Sequence, residues 1–329
     1  MTDPLLRVDG LKTHFLTRAG VVKAVDGVSL RLARGEILGL VGESGSGKSV
    51  TGQSILGLVD PPGRVVGGRV LFNGEDLIAA GEKRLRAIRG RRIAMIFQDP
   101  MMTLNPVLSI GTQMVEAVRA HEKVSRAEAW ERSRRALARV GIASPDERLA
   151  SYPHQFSGGM RQRVAIAIAL LHSPDLIIAD EPTTALDVTI QAQILFEVQK
   201  LCRETGTALI WVTHDLAVVS ALADRVAVMY AGRVVETGTV AEIIGSPSHP
   251  YTRGLLESVP SRNRRGVPLR SIPGMTPSVL DLPEGCAFRP RCDRATGACA
   301  VMPELAGDRE DRAWRCWNPY GVEVRGDAA

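Results

Sequence analysis

The spacing of hydrophobic residues along the chain changes from short continuous runs to helical periods and back. Residues 36–41 form an apolar run bounded by glycines, which predicts a buried strand. Two more runs, 176–179 and 208–212, flank a helical stretch at 190–201, and this strand–helix–strand order predicts parallel strands. A further run at 225–230 predicts another strand. The pattern therefore predicts an α/β fold.

The remaining segments differ in periodicity and composition. Residues 61–98 contain several turn signals and predict further strands and turns. From about 100 to 172 the pattern is helical, and 115–140 predicts a helical insertion. The C-terminal stretch is rich in Pro, Arg and Gly and has few apolar runs, so a partner surface or a metal would have to order it. We therefore expect one domain over 1–245 and an irregular extension over 246–329.

Composition limits the class of protein and partner. The 329 residues correspond to roughly two domains of about 150 residues each. A formal net charge of +5 permits an acidic partner such as a nucleotide, whereas 4% aromatic residues are few for stacking nucleic-acid bases, so we expect no nucleic-acid partner. The N-terminus lacks a signal-peptide pattern, and the longest apolar run, 164–171, is far shorter than the about 20 residues of a membrane span. We expect a cytoplasmic or peripherally bound protein.

A glycine-rich loop follows the strand predicted at 36–41 and precedes a predicted helix. It has the form G-x-x-x-x-G-K-S and consists of Gly42, Glu43, Ser44, Gly45, Ser46, Gly47, Lys48 and Ser49. Glycines allow the backbone to curl until successive N–H groups face inward, and the next helix adds its positive end. In such a loop Lys48 reaches the terminal phosphates and the Ser49 hydroxyl can bind Mg²⁺. This loop predicts a nucleotide-binding site.

Candidate catalytic residues follow two of the predicted strands. Asp180 ends the run that begins at 176, and the carboxyl end of a buried parallel strand faces the crevice where α/β sheets bind ligands. Asp180 can hold Mg²⁺ through water, and Glu181 is placed to orient or deprotonate an attacking water. His214 follows the next strand, where it can approach the terminal phosphate or serve as a structural hydrogen-bonding residue.

A second helix start suited to an anion lies at Ser157-Gly158-Gly159. Ser157 can cap the helix that follows, and the two glycines allow a phosphate to approach the helix N-terminus. Two such helix ends are unusual for one nucleotide site.

Together these motifs resemble those of the ATP-binding-cassette (ABC) ATPases. The resemblance covers about residues 5–245 and adds Gln98 and the segment Ala185-Leu186-Asp187 to the motifs above, in the order and spacing of the family. It implies a P-loop NTPase fold of ABC type, with a RecA-like parallel sheet, an antiparallel β part and a helical subdomain at about 100–172. A small irregular metal-binding extension completes the expected architecture.

The resemblance also implies roles for individual residues. Each ATP would lie between the glycine loop of one chain and the segment 157–159 of a second chain in a head-to-tail dimer, which explains the two anion-binding helix ends. Gln98 would contact the attacking water and, with Ser49 and Asp180, Mg²⁺. Glu181 would be the general base and His214 the sensor of the γ-phosphate. The resemblance further assigns Phe15, Gln162 and Asp187 to ATP contacts. A phenylalanine of the core would give the same pattern at Phe15.

Two segments narrow the resemblance within the family. Residues 97–106 resemble the stretch by which peptide-importing cassettes contact the coupling helix of their permease. Residues 248–252, Pro273-Gly274 and the cysteines that follow resemble the C-terminal extension of the oligopeptide/dipeptide group. The implied function is ATP hydrolysis that drives peptide import at the cytoplasmic face of the inner membrane. The implied partners are a second, usually different, cassette, two permease subunits and a solute-binding protein.

Other functions remain compatible with these motifs. The same architecture can import nickel or glutathione. Soluble cassettes of DNA repair or translation carry the same ATPase motifs, but they usually have two cassettes in one chain or a large arm insertion, and neither is visible in this sequence.

Four cysteines cluster near the C-terminus with the spacing Cys286-x₅-Cys292-x₆-Cys299-x₁₆-Cys316. Clustered thiols in a chain without a secretion signal favour a metal over disulfides. Zinc ribbons usually contain C-x₂₋₄-C pairs, which this run lacks, and its wider spacing fits a [4Fe–4S] cluster without matching the ferredoxin spacing. The run also resembles one taken to bind a [4Fe–4S] cluster in the dipeptide/oligopeptide cassettes. Zinc and free or disulfide-bonded thiols remain alternatives.

The residues around these cysteines carry positive charge. We interpret Arg289, Arg291 and Arg294 as a solvated face rather than as countercharges to thiolates. The fifth cysteine, Cys202, lies in a predicted helix and is expected to be a small buried hydrophobic residue.

Overall fold

A computed structural model describes residues 3–183, 186–259, 263, 266–309 and 311–321, apart from the side chains of residues 101 and 102. The chain forms two compact units. The first unit contains residues 1–32, 38–78 and 213–329, and the second contains 33–37 and 79–212. No helix in the described part of the chain is both long and apolar enough to cross a bilayer.

The elements are named here in chain order. The strands are β1 (Leu6–Thr17), β2 (Gly20–Leu32), β3 (Ile37–Val41), β4 (Gly63–Phe72), β5 (Glu75–Asp76), β6 (Ile93–Ile96), β7 (Leu176–Asp180), β8 (Ala208–Thr213), β9 (Arg225–Tyr230), β10 (Arg233–Thr239), β11 (Ala306–Arg309) and β12 (Arg312–Trp314). The helices are α1 (Lys48–Leu56), α2 (Glu82–Ile88), α3 (Pro100–Thr103), α4 (Ile110–Arg119), α5 (Arg126–Arg139), α6 (Pro145–Ala150), α7 (Gly158–Leu170), α8 (Val188–Thr205), α9 (Leu216–Leu222), α10 (Val240–Gly245) and α11 (Pro250–Glu257).

The first unit contains two groups of strands. An antiparallel sheet has the order β2-β1-β4-β5. A second group has the order β11-β12-β10-β9-β3, in which β9 and β3 are parallel and the other pairs are antiparallel. All five residues of β3 are buried, as are five of the six in β9. Burial on both faces explains why these strands are continuous apolar runs in the sequence.

The second unit combines parallel strands with helices. Its strands have the order β8-β7-β6, and each neighbouring pair is parallel. A separate helical core is centred on Val115, Val118 and Ala129. Gly111 permits close packing there, because a Cβ atom at this position would lie 2.4 Å from the Trp130 ring.

Most of the predicted elements are confirmed, and one segment differs in type. The strands predicted at 36–41, 176–179, 208–212 and 225–230 correspond to β3, β7, β8 and β9. The helical insertion predicted over 115–140 is confirmed as the end of α4 followed by α5, and Ser125 starts α5 by accepting a hydrogen bond from the Glu128 N–H at 3.1 Å. Helix α2 lies in a segment predicted to contain strands and turns.

The C-terminal segment is more regular than the sequence indicates. Strand β12 pairs with β10, with Trp314 opposite Glu236 and Ala313 opposite Thr237. Beneath it, the fully buried Glu236 carboxylate accepts a hydrogen bond from the Arg312 guanidinium at 2.7 Å. The division into a 1–245 domain and a 246–329 extension remains a prediction from sequence.

An aromatic cluster forms the core of this segment. The ring of Phe288 lies 5.3 Å from that of Tyr230 and 5.4 Å from that of Tyr251, and all three side chains are buried. The segment therefore buries more than its few apolar runs indicate, because it packs its aromatic residues against β9.

Candidate functional site

The glycine-rich loop joins β3 to α1 in the first unit. Gly45 and Gly47 have φ angles of 78° and 99°, which side chains with a Cβ rarely adopt. Gly42 has no space for a side chain, because its Cβ would lie 2.2 Å from the Met229 carbonyl oxygen. Gly47 is also the N-cap of α1, so the loop ends at the positive end of a helix. The backbone therefore has the curled form that phosphate binding requires.

Lys48 is held against the start of this loop. Its side chain is buried, and its Nζ donates hydrogen bonds to the carbonyl oxygens of Gly42 at 2.9 Å and Glu43 at 3.0 Å. Ser44 and Gly45 are exposed at the tip of the loop. The Ser46 hydroxyl is buried and has no hydrogen-bond partner among the described residues. Ser49, half-buried, lies in the first turn of α1.

Two further candidate residues belong to the first unit. Phe15 is half-buried on β1, and its ring packs so closely on Gly63 that a Cβ there would lie 2.5 Å from the Phe15 Cε1 atom. His214 is exposed directly after β8. The next residue, Asp215, caps α9 by accepting a hydrogen bond from the Ala217 N–H at 2.7 Å. The roles of Phe15 at adenine and His214 at the γ-phosphate remain predictions.

In the second unit, two adjacent parallel strands carry the candidate magnesium and catalytic residues to one edge. Ile96 of β6 pairs with Ala179 of β7, so Gln98 and Asp180 both lie at the carboxyl edge of this pair. Asp180 is buried and Gln98 is exposed. Strand pairing thus places an amide and a carboxylate at the same edge, and both are oxygen ligands of the kind that Mg²⁺ binds.

Glu181 has an unusual backbone conformation. Its φ angle is 43°, in the left-handed region, which costs about 1–2 kcal/mol for a residue with a Cβ. Its N–H donates a hydrogen bond to the Val212 carbonyl oxygen at 2.9 Å, which holds it against the end of β8. Backbone strain of this kind often occurs at functional sites. The left-handed conformation of Glu181 turns the chain sharply at the end of β7.

The second predicted anion site is the start of α7. The Ser157 hydroxyl caps the helix by accepting a hydrogen bond from the Met160 N–H at 3.4 Å. Gly159 has to be small, because a Cβ there would lie 2.8 Å from Ile190 Cγ2, whereas at Gly158 the nearest atom would be 3.8 Å away. The two glycines thus leave the helix end open and pack it against α8.

The remaining two residues assigned to ATP have clear structural surroundings. Gln162 is buried within α7, and its side-chain nitrogen has no hydrogen-bond partner in the part of the chain that the structure describes. Asp187 is the N-cap of α8, where its carboxylate accepts hydrogen bonds from the N–H groups of Thr189 at 3.1 Å and Ile190 at 3.0 Å. Helix capping accounts for Asp187 whether or not it also contacts ATP.

The four clustered cysteines line one small cavity together with His249. Their sulfur atoms receive polar hydrogens: the Asn318 N–H lies 3.3 Å from Cys316 Sγ, and backbone N–H groups of residues 288, 289 and 294 bond to Cys286 and Cys292. Such N–H donors fit sulfur that carries negative charge.

Burial opposes ionisation of three of these thiols. It raises the pKa of Cys286, raises that of Cys292 to about 11 and raises that of Cys316 to about 12. Thiolates would therefore need a bound cation to form near neutral pH. Within the described residues, no group of three or more His, Cys, Asp or Glu side chains stands in an arrangement that could hold a metal ion. The metal-binding character of the extension remains a prediction.

Cys202 differs from these four. It is fully buried in α8, and burial raises the pKa of its thiol to about 12, in accordance with the expectation of a small buried hydrophobic residue.

One contact of the glycine-rich loop was not visible in the sequence. Arg289 and Arg294 are exposed, but Arg291 is buried, so interpreting all three as a solvated face is wrong for Arg291. The Arg291 guanidinium forms an ion pair with the carboxylate of Glu43, the second residue of the glycine-rich loop. Burial raises the pKa of Glu43, but hydrogen bonds from Arg291 and Thr276 outweigh this effect and hold it below its ordinary value.

Comparison with known proteins identifies the family. The ABC transporter family model matches residues 25–184, and the model of the oligopeptide/dipeptide transporter C-terminal region matches residues 235–299. The dipeptide transport ATP-binding protein DppD of Bacillus subtilis (strain 168) is 50% identical over 317 residues, which are 96% of this chain and 95% of that protein. The oligopeptide transport ATP-binding protein OppD of Escherichia coli (strain K12) is 47% identical over 317 residues, 96% of this chain and 94% of that protein.

A solved structure gives the same result for the fold. The dimeric, post-hydrolysis structure of the ATP-binding cassette MJ0796 bound to ADP and Pi has a TM-score of 0.65 at 27% identity, over 71% of this chain and 98% of that chain. This chain therefore belongs to the ATP-binding proteins of the ABC transporter family, in the group that carries the oligopeptide/dipeptide transporter C-terminal region.

Proposed function

We propose that this protein is the ATP-hydrolysing subunit of an ABC importer of dipeptides or oligopeptides. The observation that carries the proposal is the curled loop from Gly42 to Ser49 with Lys48 held at its base, in a chain that also has the C-terminal region of peptide transporters. It would act at the cytoplasmic face of the inner membrane with a second cassette, two permease subunits and a solute-binding protein. Close relatives that are named as dipeptide and oligopeptide transport proteins support peptides as the cargo.

ATP would bind through its phosphates. The loop N–H groups and the Lys48 ammonium bind the β- and γ-phosphates, and Phe15 packs against adenine. Ser49, Gln98 and Asp180 would hold Mg²⁺, which supplies positive charge against the phosphate oxygens. From a second cassette, the helix start Ser157-Gly158-Gly159 would face the γ-phosphate, with Gln162 behind it and Asp187 fixing the adjacent helix.

Hydrolysis would proceed by attack of water on the γ-phosphorus. Glu181 accepts a proton from the water while the water oxygen bonds to the γ-phosphorus. The bond from this phosphorus to the bridging oxygen breaks, which releases ADP and phosphate. Gln98 orients the water. His214 contacts the γ-phosphate and couples the presence of this phosphate to closure of the two cassettes. The left-handed backbone of Glu181, which is costly for a residue with a Cβ, supports a functional role for this residue.

A substitution of the proposed base tests this assignment. Glu181→Gln should retain ATP binding while ATP turnover falls by about 100-fold or more, because a general base typically contributes 10²–10⁴-fold. The control is Glu204→Gln, since Glu204 is an exposed residue near the end of α8. Undiminished turnover in Glu181→Gln would overturn the role of Glu181.

The cargo requires a test in cells. A strain that lacks this chain should lose uptake of radiolabelled dipeptide or oligopeptide and regain it with the wild-type chain, but not with Glu181→Gln. Nickel and glutathione uptake are measured in the same strains. Loss of either of these in place of peptide uptake would overturn the assignment of cargo.

We also propose that the four clustered cysteines bind a [4Fe–4S] cluster. Four thiols around one cavity, and backbone N–H groups directed at the sulfurs of Cys286, Cys292 and Cys316, support this assignment. When bound, the cluster would supply the positive charge that the thiolates require. Protein purified without oxygen should be brown and contain iron that Cys292→Ser lowers, whereas colourless protein that contains zinc would refute the cluster.

A further inference from the structure

We propose that Arg291 is a positioning residue for the glycine-rich loop and that it couples the cysteine cluster to the affinity for ATP. The inference rests on the proposed function in one respect, which is that ATP binds at this loop. All of the contacts that carry it lie within the first unit.

The position of Arg291 is fixed by the cysteine segment. Arg291 ends a 3₁₀ turn, Arg289–Arg291, that lies between Cys286 and Cys292 in the sequence. Its N–H donates a hydrogen bond to the Phe288 carbonyl oxygen at 2.9 Å, and the Cys292 N–H donates to the Arg289 carbonyl oxygen at 3.3 Å. The Arg289 N–H also donates to the Cys286 carbonyl oxygen at 2.9 Å, so both cysteines are hydrogen-bonded to the turn that carries Arg291.

The side chain of Arg291 reaches from this turn to the loop. Its Nη1 lies 2.7 Å from Oε2 of Glu43, and its Nη2 lies 3.0 Å from Oε1, so the contact is a paired, charge-assisted hydrogen bond. The Thr276 hydroxyl donates to the same carboxylate at 2.9 Å, and Arg291 Nε donates to the Pro273 carbonyl oxygen at 3.0 Å. Only 6% of the Arg291 side chain is exposed, which limits screening of this pair by solvent.

A second contact acts on the backbone of the same loop residue. The Tyr251 hydroxyl accepts a hydrogen bond from the Glu43 N–H at 2.8 Å. Tyr251 is itself fixed, since it is fully buried and its ring lies 5.4 Å from that of Phe288, which adjoins the same 3₁₀ turn. Glu43 is therefore held at its carboxylate and at its amide by residues of the C-terminal segment.

The effect can reach the phosphate-binding lysine through Glu43. The Glu43 carbonyl oxygen accepts a hydrogen bond from Lys48 Nζ at 3.0 Å and another from the Ser46 N–H at 3.2 Å. A change in the position of Glu43 would thus change both the lysine and the curl of the loop. The contacts form a continuous series from Cys292 through Arg291 and Glu43 to Lys48.

A purely structural role for Arg291 predicts different behaviour. If the ion pair only attached the C-terminal segment, its loss would lower stability without changing how ATP affinity responds to the cysteines. The proposed coupling predicts that substitutions at Arg291 and at a cysteine affect ATP affinity through the same contacts, so that their effects do not add.

The test measures the Kd of Mg·ATP for the purified full-length chain. Arg291→Lys retains the charge but loses the paired hydrogen bond, and should raise the Kd about three- to tenfold, which corresponds to about 0.6–1.4 kcal/mol of ATP binding free energy. Arg289→Lys is the matched control, because Arg289 is exposed in the same turn, and it should leave the Kd unchanged. Thr276→Val removes another hydrogen bond from the same carboxylate, and replaces Arg291→Lys if that variant loses folded structure by circular dichroism.

The coupling is tested with Cys292→Ser. This substitution should raise the Kd of Mg·ATP in the wild-type background and have little further effect in Arg291→Lys. An unchanged Kd in Arg291→Lys and Thr276→Val, or effects of Cys292→Ser and Arg291→Lys that add fully, would overturn the inference. Absence of ATP binding by the wild-type chain would instead refute the proposed function. Absence of iron would refute only the [4Fe–4S] cluster, since the effects of Arg291→Lys and Cys292→Ser on the Kd can be measured without iron.

Discussion

Removal of the Arg312 charge should destabilise the protein strongly. The Glu236 carboxylate is fully buried and accepts hydrogen bonds from Arg312 Nη1 at 2.7 Å and from the N–H groups of Ser248 at 2.6 Å and His249 at 2.9 Å. Arg312 Nη2 also donates to the Ser246 carbonyl oxygen at 2.9 Å. Arg312→Met would leave a buried carboxylate without its countercharge, and loss of one member of a buried ion pair costs about 3–5 kcal/mol.

Urea unfolding monitored by tryptophan fluorescence measures this loss. Trp314 provides a local signal, because its ring lies 5.5 Å from the Arg312 guanidinium carbon. The midpoint should fall while the dependence on urea concentration stays the same. Arg309→Met is the matched control: Arg309 lies on neighbouring β11 and pairs with Glu242, but it is exposed, so its loss should cost much less.

A second substitution tests the cause. Glu236→Gln in the Arg312→Met background removes the unpaired charge but keeps an acceptor for the backbone N–H groups, so part of the lost stability should return. If Arg312→Met is no less stable than Arg309→Met, or if Glu236→Gln in the Arg312→Met background lowers stability further, the argument from buried charge is wrong.

Three further predictions concern pH, the loop and a helix cap. Burial lowers the pKa of His249 to about 3, below the ordinary value of 6.5, so the unfolded chain binds a proton that the folded chain does not. The free energy of unfolding is therefore highest above pH 6.5 and decreases as the pH falls, by about 1.4 kcal/mol at pH 5.5. His249→Asn should reduce the difference between urea midpoints at pH 7.5 and 5.5, and an unchanged difference would contradict this account. Gly42→Ala should abolish ATP binding, measured by titration, because the added Cβ would overlap a backbone oxygen, whereas Gly81→Ala has open space and should bind normally. Ser157→Ala and Ser125→Ala each remove a helix cap and should each cost about 1 kcal/mol in urea unfolding, but only Ser157→Ala should lower ATP turnover; equal turnover would remove Ser157 from the site.

The parts of the fold that the sequence predicts are those with local signals. The ABC-type α/β fold is confirmed by the match to the ABC transporter family. It was predictable because the glycine-rich loop and the fully buried strands β3 and β7 are each recognisable within a few residues. Helix α2 was not predicted, because its sequence is mostly charged and buries only Ile88. It therefore lacks the apolar period that would indicate a helix.

The contacts that organise the C-terminal segment could not be predicted. Glu43 and Arg291 are separated by 248 positions, and each taken alone fits an exposed charged residue. Strand β12 has three residues, too few to show an alternating pattern, and it exists because β10 provides its partner. Long-range pairing of this kind depends on the folded chain and leaves no mark on a single sequence.

The pairing of β12 with β10 also determines what happens to a shortened chain. A protein ending near residue 245 would lose β12, and the N–H and C=O groups along that side of β10 would face solvent. An uncovered strand edge readily pairs with the same edge of another molecule, and the Glu236 carboxylate would at the same time lose every donor described above. Deletion of the C-terminal region would therefore favour self-association of the remaining protein, so reduced transport by such a variant would not by itself reveal what the region does.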